Sequence, residues 1–150
     1  MHKGKVMSEL DNQPPKSFYW IAGIALLWNV LGVMSYVGQV TMSPEALAAL
    51  PDAKRIFFEN QPSWVTSVYA IAVNAGALGC VLLLLRKSWA VPAFVLSLVC
   101  VLLQFTYNYF IADGVAVFGS SSMAVPVSIT IIGAGLVKYS VDAKAKGWLN

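Results

Sequence analysis

WVTSVYAIAVNAGALGCVLLLL, residues Trp64 to Leu85, decides the fold, because after only Arg86-Lys87-Ser88 a second apolar run begins, WAVPAFVLSLVCVLLQFTYNYFIA, Trp89 to Ala112. The hydrocarbon core of a bilayer, about 30 Å thick, takes about 20 residues at helical rise. Both stretches reach that length without an Asp, Glu, Lys or Arg. So short a link leaves room for nothing but a tight turn, and the two segments must lie antiparallel side by side. Two further runs, Phe18 to Met42 and Met123 to Val141, share this character, with Lys138 confined to the last turn of the fourth.

Composition agrees with four crossings. The chain is 58% hydrophobic and 11% charged, with mean hydropathy +0.69, which leaves too little polar surface to coat a water-soluble globule. The runs mix Leu, Val, Ile, Ala and Gly without alternation, whereas a membrane β-barrel shows segments of about 10 residues with a period of two. The expected fold is an all-α membrane protein: an antiparallel four-transmembrane-helix bundle at 18–42, 64–85, 89–112 and 123–141. A flexible lead, 1–17, precedes it and a tail, 142–150, follows.

Basic residues give the orientation, since positive charge is retained on the cytoplasmic side of short loops. One side collects Lys3, Lys5, Lys16, Arg86, Lys87, Lys138, Lys144 and Lys146; the other holds only Lys54 and Arg55. Both termini are therefore expected in the cytoplasm. The net charge of +3 reflects this asymmetry, not a nucleic-acid patch. The first run exceeds a signal-peptide core, and Ala46 and Ala48 lie too far beyond it to mark cleavage, so it is read as a retained helix. Cys80 and Cys100 fall at different depths inside the runs and are expected to stay unbridged.

The first loop, from Ser43 to Ser63, has room for structure. Ser43-Pro44-Glu45 combines a capping hydroxyl, a proline whose missing N–H does no harm and an acid in the first turn. Pro51-Asp52 restarts the chain, with Ala53, Ile56 and Phe57 giving an apolar side at helical spacing before Pro62 ends the segment. A short interfacial helix is expected here, either a plain connector or a lid over a pore mouth. The third loop, about Asp113 to Ser122, is short, and Asp113 reads as an interfacial cap.

Polar residues in the runs mark candidate chemistry. Counted from the cytoplasmic ends, Asn29, Asn74, Cys100 and Thr130 each lie about 11 residues deep, so one group per helix meets a common layer near the midplane. An unpaired amide in hydrocarbon costs several kcal/mol, and Asn29 and Asn74 are expected to face inward toward each other. Ser97, Cys100, Gln104 and Asn108 share one face of the third helix; Asn29, Gly32, Tyr36 and Gln39 form a stripe on the first. Such stripes serve either as a route for a small neutral polar solute or as interhelical glue. Ala72, Ala75, Gly76 and Gly79 mark a close-packing face on the second helix, with a homodimer seam as the alternative.

Other chemistries lack their residues. The only histidine is His2, no Cys-x-x-Cys and no Ser-His-Asp set is present, and no carboxylate lies deep in a run. Neither enzymatic activity nor a cofactor or metal is expected.

The stretch Gln39-Val-Thr-Met-Ser-Pro-Glu-Ala-Leu-Ala-Ala-Leu-Pro51, with Gln61-Pro-Ser-Trp-Val65 and Leu82-Leu-Leu-Leu-Arg-Lys87, resembles a family of small bacterial four-helix membrane proteins often labelled sugar transporters. The resemblance implies a multi-pass protein of the bacterial inner membrane that passes a small neutral solute such as a sugar. It supplies no binding residues to carry over. Unlike the sugar-carrying PQ-loop families, the chain has four runs, and its Gln61-Pro62 lies in a loop. Four helices scarcely enclose a sugar while packing each other, so transport carries the expectation of a homo-oligomer, with Asn29, Asn74, Gln104 and Asn108 facing the path. The rival reading is a non-transporting accessory or scaffold protein, expected to show a packed polar layer and an exposed small-residue face.

Overall fold

The structure, a computed structural model, describes residues 12–150 and Gly4; most of the expected flexible lead, 1–17, lies outside the described residues. The described chain is helical, without a strand. Its elements are α1 (Lys16–Val40), α2 (Pro44–Ala48), α3 (Asp52–Glu59), α4 (Ser63–Leu84), α5 (Ala90–Thr106), α6 (Gly114–Phe118) and α7 (Ala124–Ala145). A π-helical turn, Tyr107–Ile111, prolongs α5, and a 3-10 turn, Ser120–Met123, leads into α7. Four of these helices, counting the extensions, are long and apolar enough to cross a membrane.

Large side chains point outward from them. Trp20 is 73% exposed and Phe110 is 77% exposed, with Ile24, Leu27, Met34 and Ile131 similarly bare. A surface of this kind is unfavourable in water and costs nothing against lipid tails. Aromatic residues collect near both ends, Tyr19, Trp20 and Trp89 at one and Trp64, Tyr107 and Phe110 at the other, as amphipathic rings do at membrane interfaces.

The helices pack in chain order. α1 lies on α4, α4 on α5 and α5 on α7, while no comparable packing joins α1 to α7. The ring is closed at one end only. There Phe18 stacks on Tyr139 at 6.2 Å between centroids and meets Trp148 edge-on at 5.9 Å. Small residues on α4 set the central packing: Ala72, Ala75, Gly76 and Gly79 are all buried. A Cβ on Gly79 would stand 2.8 Å from the Phe94 ring, and one on Gly76 would collide with Asn29. The expected small-residue face is thus spent inside the chain, between α1 and α5, instead of forming a homodimer seam or an exposed accessory surface.

The α4–α5 turn and both ends of the described chain meet in one clasp. Arg86 adopts the left-handed conformation (φ 58) that ends α4 in a Schellman turn, with Lys87 N–H donating to Leu82 O at 2.8 Å and Arg86 N–H to Leu83 O at 2.9 Å. Glycine usually fills that position. Here the arginine is held by three hydrogen bonds from its guanidinium: Nε to Trp148 O (2.8 Å), one Nη to Gln13 Oε1 (3.2 Å) and the other to Asn12 O (3.3 Å). Backbone bonds from Asn150 N–H to Arg86 O (2.6 Å) and from Ser88 N–H to Asn150 O (2.7 Å) complete it. The tail expected at 142–150 is therefore helix through Ala145, then a turn at Gly147 (φ 74) that folds Leu149 into the core.

At the opposite end, the first loop holds two short helices, α2 and α3, divided where Pro51-Asp52 restarts the chain. Ser43 Oγ accepts from Ala46 N–H at 3.1 Å, and Glu45 sits in the first turn of α2, as the Ser-Pro-Glu reading requires. Phe57 and Phe58 of α3 pack edge-on against Phe118 of α6, at 5.0 and 6.2 Å. Asp113 is the N-cap residue of α6, in a left-handed conformation (φ 53), and its backbone carbonyl, not its carboxylate, accepts from Ala116 N–H.

Candidate functional site

Because α1 and α7 stand apart, a cavity of 370 Å³ opens between them, with α4 and α5 as its floor. The polar groups along it are Asn29, Ser35, Gln39, Tyr69, Ser97 and Gln104; all others are apolar or glycine, and no charged residue contributes.

Three polar side chains dominate. Asn29 donates to Ala25 O (2.8 Å) and to the Cys80 thiol (3.4 Å), which leaves its carbonyl oxygen free over Gly76. Ser97 donates to Ala72 O across the α4–α5 contact at 2.7 Å, so its remaining lone pairs can accept. Gln104 is only 6% exposed and has no side-chain hydrogen-bond partner among the described residues. Every fully sealed side-chain nitrogen or oxygen in that set is paired, so the Gln104 amide opens on the cavity that it lines.

Toward the end that carries α3 and α6 the cavity meets a chain of amides. Gln39 Nε2 donates to Gln61 Oε1 at 2.8 Å, and Gln61 Nε2 donates to Asn108 Oδ1 at 3.3 Å. Gln39 and Phe105 line both the main cavity and a smaller pocket of 140 Å³ beyond it. Gln61 and Asn108 divide that pocket from a third, of 180 Å³, under Ala53 and Ile56. The π-turn carries Asn108: Ala112 N–H reaches back to Tyr107 O at 2.8 Å, and Gly114 is obligatory because a Cβ there would stand 2.5 Å from Asn108 O. Single π-turns recur at functional positions in helices.

The midplane layer expected from depth alone does not form. Asn29 is on the cavity wall, but Asn74 faces outward and donates to Ala70 O at 2.8 Å. That bond, one turn back along its own helix, satisfies the amide donor without a partner helix. Thr130 does the same with Pro126 O at 2.8 Å and lies beside the lining residues Ile129 and Gly133. Cys100 is buried away from the cavity and, like Cys80, unbridged. Tyr36 packs edge-on against Tyr69 at 5.3 Å, outside the lining. Of the expected residues, Asn29, Gln39 and Gln104 share the main cavity, and Asn108 joins through Gln61.

Gln61, Ser35 and Tyr69 are the participants that periodicity missed. A glutamine just before the proline that starts α4 was the available signal for Gln61. No family model, no curated protein and no solved structure matches the chain, so its function is argued from this geometry.

Proposed function

We propose that the chain receives an uncharged solute in the cavity between α1 and α7 and passes it toward the face that carries α3 and α6. One observation carries this reading: Gln104, a buried primary amide without a partner among the described residues, opens on a space lined from all four membrane helices. A buried amide left unpaired costs about 1–3 kcal/mol, which a hydrogen-bonding guest recovers. The lining holds no charge to balance an ion, so the solute is neutral.

The face with both termini is the cytoplasmic one, supported by Lys16, Arg86, Lys87, Lys138, Lys144 and Lys146 on that side. Phe18, Tyr139, Trp148 and Leu149 pack together at that end, and the amide chain Gln39–Gln61–Asn108 is the exchangeable barrier on the outer side. The bacterial inner membrane and a sugar as cargo follow from the family resemblance, and the largely apolar wall favours a solute with an apolar part over a bare sugar, whose every hydroxyl needs a partner. An accessory role would want small residues free on α4, and they are buried.

Binding of a tritiated panel, from hexoses to alkyl glycosides and long-chain alcohols, to the protein in nanodiscs tests the proposal. Saturable binding of at least one member should weaken in Gln104→Leu and Asn29→Ala and persist in Asn74→Ala. Absence of saturable binding across the panel, or equal loss in Asn74→Ala, refutes it.

A further inference from the structure

We infer that the occupant of this cavity is an uncharged single-chain amphiphile, a hydrocarbon chain ending in a hydroxyl-bearing head, which arrives sideways from the bilayer between α1 and α7. The inference rests on the reading that the cavity is a ligand seat, and deepens it to a chemical class and a route.

Shape comes first. On α5 the lining runs from Phe94 to Phe105 and on α7 from Val125 to Leu136, in each case about 16 Å along the helix at about 1.5 Å per residue. The 370 Å³ is spread over that length, a slot running parallel to the helices as a lipid tail does.

The mouth comes second. Trp28, Leu31 and Ser35 on α1, and Val125 and Ile132 on α7, both line the slot and lie on the exposed surface of the chain. These residues sit within the membrane-crossing portions of their helices, so the opening between them faces lipid, not water. The stack of Phe18 on Tyr139 joins α1 to α7 at the end nearest the termini, and the amide chain stands at the other. A guest therefore has its shortest path through the side.

The polar groups set the head. Gln104 offers two N–H donors and a carbonyl acceptor, a set that a hydroxyl matches because it donates and accepts at once. Asn29 Oδ1 and Ser97 Oγ meet beside Gly76, Ser97 Oγ standing 3.1 Å from where a Gly76 Cβ would be; this pair lies about 10 Å along the slot from Gln104, beside the chain of the guest and not its head. No lysine, arginine or carboxylate lines the slot, so a charged head, such as a fatty acid or a phospholipid carries, would enter uncompensated. With Gln104 and Gln39 toward the α3–α6 end and Phe94 and Leu136 toward the other, the head points to the amide chain and the tail to the membrane centre.

Photolabelling of the protein in nanodiscs with a mid-chain diazirine hexadecanol, beside a diazirine palmitic acid and a diazirine hexose, tests this. The alcohol should label the facing sides of α1 and α7, be displaced by unlabelled hexadecanol, and label Gln104→Leu and the mouth-blocking Ser35→Trp about tenfold less, the loss that one buried hydrogen bond commands. Ser35 is exposed, so its variant keeps the fold, and unchanged thermal unfolding verifies it. Labelling that spreads over all lipid-facing surfaces without competition overturns the inference, as does stronger competed labelling by the acid. Competed labelling of the cavity by the hexose alone overturns the amphiphile while sparing the ligand seat. Competed labelling by none of the three overturns both.

Discussion

Replacing Gly76 by alanine puts one methyl group where Asn29 of α1 packs against α4. The new Cβ would collide with Asn29 Oδ1 and stand 3.1 Å from Ser97 Oγ. Asn29 cannot simply swing aside, because its amide nitrogen is tied to Ala25 O at 2.8 Å and to Cys80 Sγ at 3.4 Å. Overpacking of this kind costs about 1–3 kcal/mol, against which the better helix propensity of alanine returns at most about 1 kcal/mol. A net loss of about 1–2 kcal/mol is expected. Gly38→Ala is the matched control: nothing lies within 4 Å of its Cβ position, so that variant should be neutral or slightly stabilised. The decisive step is the double variant Gly76→Ala/Asn29→Ala, in which the amide is gone and the methyl occupies its place. Unfolding of wild type, Gly76→Ala, Asn29→Ala and the double variant in mixed detergent micelles, as a double-mutant cycle, should show coupling of about 1–2 kcal/mol, with the second change repairing much of the first. If Gly76→Ala matches Gly38→Ala, or if the two changes simply add, the packing of Asn29 into the Gly76 notch is wrong.

Three other outcomes follow from the same geometry. Arg86→Ala loses three guanidinium bonds and keeps the left-handed strain, whereas Arg86→Gly loses the bonds but relieves the strain; unfolding should place glycine about 1 kcal/mol above alanine, and below wild type. Gln61→Leu leaves Gln39 and Asn108 each without its partner, so hydrogen exchange should quicken across 104–118, and an unchanged rate would contradict the amide barrier. Glu45 is held below the ordinary glutamate range by its own backbone amide and then by the Ser43 hydroxyl. A folded pKa below the unfolded one makes its contribution to α2 complete above the ordinary range and lost as pH falls through the lowered value. NMR titration of the Glu45 carboxyl carbon should show its midpoint rising toward the ordinary value in Ser43→Ala.

Much of the scaffold was legible because bilayer thickness acts on length and charge, which a sequence displays openly. The run Trp64 to Leu85 starts one residue after, and stops one residue after, the observed helix Ser63–Leu84, and Ser43-Pro44-Glu45 marks the start of α2. Facing was harder to read. α4 is apolar almost all round, so nothing in its pattern says that Asn74 looks outward while Gly76 looks in; only the packing of Asn29 into the glycine notch decides it. Depth counting also gives height without direction, which is why Thr130 and Cys100 shared a level with Asn29 and not a site. The gap between α1 and α7 has no local signal, since it arises from which helices fail to meet. The same holds for Gln61, whose role depends on Gln39 and Asn108, far away in sequence.

Unfolding of Gln104→Leu, with and without a saturating bound panel member, tests the central claim most directly. An amide that faces an open seat has no protein bond to lose, so the variant should unfold within about 0.5 kcal/mol of wild type or above it, while the stabilisation conferred by ligand falls away. A variant weaker by about 2 kcal/mol that still gains full stabilisation from ligand would mean that Gln104 is bonded within the protein, and that the cavity is no seat.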